Sequence, residues 1–131
     1  MRVARCLCFM LPLVFGGCGC LFAPCGRRLH VSGHVLDAQH RPVGYATVEL
    51  GGVRKETDGN GCFYFGGDTA DADLNINVTK VGHHPYRASK GFDLYEVVIT
   101  LAPEQGEQQS SGVWHKLYVD ELPRYKTCAD Q

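Results

Sequence analysis

Six histidines, seven cysteines and one turn rich in Asp and Asn are the residues of this 131-residue chain best suited to chemistry. A metal centre is the first chemistry to test. His83 and His84 are adjacent, so on extended backbone they point to opposite sides and cannot share an ion without a bend. His30 and His34 fall on one face of an alternating segment, but roughly 13 Å apart at about 3.3 Å per residue. No C-x-x-C pair is present, which removes the usual zinc pattern. Asp58-Gly59-Asn60-Gly61 is too poor in acids for a calcium loop. Cys62 as a nucleophile needs a positioned histidine, and no spacing supplies one. These residues therefore read as turn, strand and disulfide residues, with no catalytic residue, metal ligand or cofactor expected. Tyr45, Tyr64 and Tyr95 are aromatics that an exposed sheet face could offer to a sugar.

The elements that must position them are short strands. Leu29, Val31 and Val35 recur at even steps through Leu29–Asp37, the period of a half-buried strand. Ala38 to Pro42 is a turn, and Ala46, Val48 and Leu50 alternate with Tyr45, Thr47 and Glu49. Gly51-Gly52 reverses the chain into the polar segment Val53–Thr57, whose charges suit a sheet edge. Asp58-Gly59-Asn60-Gly61 is a dense turn signal, after which Phe63 and Phe65 point inward while Cys62 and Tyr64 point away. Leu74, Ile76 and Val78 alternate with Asn75, Asn77 and Thr79. A short extended piece, Tyr86 to Ala88, precedes a closing strand, Tyr95–Leu101. Seven strands with turns between them and no helical stretch predict an all-β, seven-stranded sandwich over residues 29–103. A sandwich this small is marginal without help, and one disulfide contributes about 2–4 kcal/mol.

Residues 104–131 read as a polar linker and C-terminal tail. Val113 or Trp114, Leu117 or Tyr118, and Leu122 recur about every four residues, a spacing that predicts two amphipathic helical turns before Pro123. Such a tail either docks on the sandwich or presents Trp114, Leu117 and Tyr118 to a partner.

The amino end has a different character. A basic start with Arg2 and Arg5, an apolar run from Cys6 to Phe15 and a small-residue end fit a cleavable export signal, and the run is too short to span a bilayer. Phe15-Gly16-Gly17-Cys18 resembles the bacterial lipoprotein signal, with Phe15 where that family prefers Leu, Val or Ile. The resemblance implies a signal peptide over 1–17, lipidation (palmitate) at Cys18 and a tether over 18–28. Gly19 is not the Asp used for inner-membrane retention. The implied address is therefore the outer membrane, facing the periplasm or the surface. Removing 1–17 takes two of 13 basic side chains and none of the 14 acidic ones, leaving a balance near −3. No basic stripe remains, which argues against a nucleic-acid partner. With Cys18 lipidated, Cys20, Cys25, Cys62 and Cys128 stay in an oxidising compartment and allow three pairings. Cys20–Cys25 with Cys62–Cys128 is preferred, because it joins local neighbours and ties the tail to the sandwich.

Five pieces in order resemble the carboxypeptidase regulatory-like (transthyretin-like, prealbumin-like or Ig-like) domain. They are Gly33-His34-Val35-Leu36-Asp37 with Pro42-Val43; Ala46–Leu50; the Thr57, Asp58, Gly61, Phe63 hairpin; Gly82-His83 in place of the family's Gly-Tyr; and Leu101 with Pro103. The resemblance covers Val31 to Pro103. It implies an accessory sandwich without catalysis, here a lipid-anchored envelope module that binds another envelope protein or, alternatively, a glycan. A second resemblance, to hydroxyisourate hydrolases, rests on His34-Val35-Leu36-Asp37 and Tyr86-Arg87-Ala88-Ser89. The latter tetrapeptide stands mid-chain rather than at the C-terminus, and the final strand contains no histidine.

Overall fold

A computed structural model describes residues 27–69, 72–122 and 128. Eight strands follow one another: β1 Arg27–Asp37, β2 Thr47–Leu50, β3 Val53–Glu56, β4 Cys62–Thr69, β5 Asp73–Thr79, β6 Tyr86–Gly91, β7 Tyr95–Leu101 and β8 Ser111–Lys116. They form two four-stranded sheets, ordered β4-β1-β7-β8 and β3-β2-β5-β6. The chain is all-β and builds a sandwich. β1 and β7 pair in parallel, with Val31 opposite Tyr95 and Val35 opposite Ile99, whereas every other pairing is antiparallel.

Alternation explains the interior. Val31 and Val35 of β1, Val48 and Leu50 of β2, Ile76 and Val78 of β5, and Val97, Ile99 and Leu101 of β7 are all buried in one cluster with Phe63 and Phe65. Burying each aliphatic side chain contributes about 1.5–3 kcal/mol relative to exposure. Gly33 lies beneath the Phe63 ring, where a Cβ would collide with the ring and with the Val97 carbonyl. The ring therefore fills the space that an ordinary residue would occupy on β1.

The expected hairpin turn is built as the residue types suggest. Thr57 is buried; its Oγ1 accepts the Ala46 N–H at 2.9 Å and donates to the Val43 carbonyl at 3.0 Å. The Asp58 Oδ1 accepts the N–H groups of Asn60 and Cys62, each at 2.9 Å. Gly61 has φ of 78°, and a Cβ there would meet the Val35 carbonyl. Glycine alone satisfies both constraints.

Among the described residues the strand count is eight rather than seven. The segment expected to form two helical turns is β8, which pairs with β7 and sets Trp114 opposite Val97. Val113 and Trp114 fit a helical spacing and a two-residue alternation equally well. The open edge of β7 decides, because its unpaired backbone groups need a ladder partner. β1 also begins at Arg27, so Arg27 and Arg28 belong to a strand that pairs with Asp68 and Thr69 rather than to a tether. Residues 1–17, Cys18, Cys20 and Cys25 lie outside the described residues.

Candidate functional site

Residues of β1 that point away from the interior should be wet, yet several are not. His30 is 8% exposed, Ser32 1%, and Cys62, their neighbour on β4, 4%. At Cys62 the chain's far end contributes: its sulfur is bonded to that of Cys128, across a sequence separation of 66. This bond closes part of the first sheet's outer face. It is the second of the two bridges preferred from sequence.

Three donor-type side chains meet at that bond. Atoms of His34, Cys62 and Cys128 able to ligate an ion all lie within 4.8 Å of one another. His34 Nε2 is 2.8 Å from the Asn60 carbonyl, and a neutral ring that donates this bond keeps its lone pair on Nδ1. The bridged Cys62 sulfur, which has no proton to give, is 3.9 Å from the same carbonyl. The Asp58-capped turn therefore fixes one oxygen that accepts from His34 beside the Cys62 sulfur. Sequence reasoning missed this cluster because it tested spacings along a strand or within a short motif. Here the ligands come from β1, β4 and the tail. The only signal in the sequence is the preferred Cys62–Cys128 pairing, combined with the β1–β4 register that sets His34 opposite Cys62.

The same face carries His30, whose ring meets that of Tyr64 edge-on at 5.1 Å between centroids. Burial, and then the Arg28 charge, hold the His30 imidazole below its ordinary value, with Glu96 opposing. His83 and His84 sit apart from this cluster: His84 Nε2 is 2.9 Å from the Gly106 carbonyl, and His83 Nδ1 is 3.3 Å from that of Val81.

The second sheet's outer face is open and polar. Glu49, Asn75, Asn77, Arg87 and Ser89 line a shallow depression of about 710 Å³. Its polar groups have partners: Arg54 reaches Glu49 at 3.2 Å from outside it and Arg87 reaches Asn77 at 3.4 Å. His34 and Arg87, carried over from the hydrolase resemblance, thus occupy opposite outer faces. The three tyrosines do not share a platform either. Tyr45 is exposed at a turn and Tyr64 lies on the first sheet's outer face, while Tyr95 packs against the core and edge-on to Trp114 at 5.1 Å.

Of the tail residues expected at a partner contact, two turn inward. Trp114 packs on the core and its Nε1 donates to the Tyr86 hydroxyl at 2.8 Å, and Leu117 is 3% exposed. Tyr118 stays exposed beside Val119, on the rim of an apolar groove of about 460 Å³ that also includes Phe92, Leu94 and Leu122.

No family model and no curated protein matches the chain. Among solved structures, it is similar to 3-chlorocatechol 1,2-dioxygenase from Rhodococcus opacus 1CP, with a TM-score of 0.50 and 13% identity over 61% of each chain. Catechol 1,2-dioxygenase from Pseudomonas arvilla C-1 follows at a TM-score of 0.48 and 13% identity, covering 66% of this chain and 55% of that one. A Bacteroides fragilis protein described as membrane-associated and of unknown function has a TM-score of 0.45 and 15% identity, covering 63% of this chain and 30% of that one. The chain therefore spans less than two thirds of the length of each, and at these identities the likeness concerns the fold. It nevertheless corrects one expectation. The reading of this sandwich as a module without catalysis drew on its architecture, and that architecture is shared with an enzyme, so fold class gives no ground for it.

Proposed function

We propose that this chain is a lipid-anchored protein of a Gram-negative cell envelope, in which a transthyretin-like, carboxypeptidase regulatory-like sandwich serves as a protein-interaction module. The observation that carries the reading is the bonded Cys62–Cys128 pair, in a chain whose residues 1–17 read as an export signal before Cys18. Structural disulfides persist in oxidising compartments, which are the destination of exported chains. Support for an interaction role comes from apolar side chains left in the open near the β8 edge. Val98 and Val113 are cross-strand partners on the uncovered part of the first sheet's outer face, at 38% and 73% exposure, and Tyr118 and Val119 follow just beyond. A single exposed apolar residue means little, but a cross-strand apolar pair at a sheet edge suits a protein partner.

Fractionation of cells expressing the wild-type chain and Cys18→Ser tests the address. Wild type should enter the outer-membrane fraction with a mature N-terminus at Cys18 and the added mass of acyl chains. The serine variant should lose both. A wild-type chain recovered in the cytosol with Met1 intact would refute the reading.

A further inference from the structure

We propose that His34, Cys62 and Cys128 form a reduction-gated binding site for a zinc-type divalent ion. The three donors already lie within 4.8 Å of one another, and they are the residue types that make a Cys2His set. In the bonded state no thiolate is available and the site is shut. A dithiol, such as the active pair of a thioredoxin-like protein, opens it by exchange. The Cys62–Cys128 S–S bond breaks, a new S–S bond forms within the donor, and two electrons and two protons pass to Cys62 and Cys128.

Ion binding then displaces one proton from each thiol and takes the imidazole lone pair. Zn–S bonds of about 2.3 Å in tetrahedral array place two sulfurs about 3.8 Å apart, so the side chains need only separate by a modest rotation once the bond is cut. The Cα atoms, at 5.4 Å, already permit this. Charge favours the same outcome. Two thiolates neutralise a divalent ion, and a neutral assembly tolerates the burial recorded for Cys62. The Asn60 carbonyl, 2.8 Å from Nε2 of His34, supplies the kind of contact that orients a ligating ring. Three protein ligands leave a fourth position for water or a small anion.

The test uses the full chain with serine in place of Cys6, Cys8, Cys18, Cys20 and Cys25, so that only Cys62 and Cys128 remain. After phosphine reduction under anaerobic conditions, Co2+ should bind one to one. A thiolate-to-cobalt charge-transfer band and the visible bands of a tetrahedral ion should appear, and Zn2+ should abolish both. The oxidised chain should give no band. His34→Ala should weaken cobalt binding about tenfold or more while leaving the fold intact, and Cys128→Ser should remove roughly half of the charge-transfer intensity. Equal cobalt affinity in His34→Ala and its parent would overturn the proposal. So would a reduced chain that gives no stoichiometric band, or one that loses its native Trp114 fluorescence before metal is added.

Discussion

The two outer faces of this sandwich began from the same alternating pattern and ended differently. On the second sheet, Glu49, Asn75, Asn77 and Arg87 line an open depression, with Glu49 paired to Arg54 and Asn77 to Arg87. On the first, His30, Ser32 and Cys62 are sealed, and the Cys62–Cys128 bond marks the seal. A polar side chain on an outward strand position is therefore no guide to exposure. The sealed face is also where donor atoms converge.

Substitutions should separate the faces by size of effect, with the shared interior as a yardstick. Phe63→Ala empties the space above Gly33 and should cost about 3–5 kcal/mol in urea unfolding. Cys128→Ser should cost about 2–4 kcal/mol, because the bond closes a long loop; a change below 0.5 would mean that the covered face contributes no more than the open one. Thr57→Ala removes two buried hydrogen bonds that join the turn to the segment leading into β2 and should cost about 1–3 kcal/mol.

Acid should act through His30 on the covered face. Its folded pKa is depressed by burial and then by Arg28, so the fold favours the neutral ring. That contribution is complete above the ordinary imidazole value of 6.5 and is lost as the pH falls through the lower folded value. His30→Phe keeps an aromatic ring beside Tyr64 and should flatten stability against pH in this window, as read by thermal midpoints. Arg87→Ala on the open face should change stability by no more than about 0.5 kcal/mol, since its one side-chain partner is exposed. A larger loss would show that the polar depression is a built site rather than a solvated surface.

Much of the fold was legible because period-two alternation is a direct print of a two-sided sheet. Val31, Val35, Val48, Ile76, Val78, Val97 and Ile99 are all inside, and Thr57, Asp58 and Gly61 do the turn chemistry their types suggest. β8 was misread because Val113, Trp114 and Leu117 satisfy a helical spacing as well. Only the vacant edge of β7, a long-range fact, selects the strand. The candidate site was legible in one part, the bond between Cys62 and Cys128. The place of His34 beside it depends on the β1–β4 register and on the turn that aims the Asn60 carbonyl.

By itself the amino-acid order determined which side chains face inward, where the backbone turns, and the need for an apolar interior between two sheets. These follow from neighbours within a few residues, where steric and hydrophobic preferences act directly. The tertiary structure alone decided which outward face is closed and which three donors meet there. Those outcomes depend on contacts between β1, β4 and the far end of the chain, and such contacts exist only after the sheets have formed.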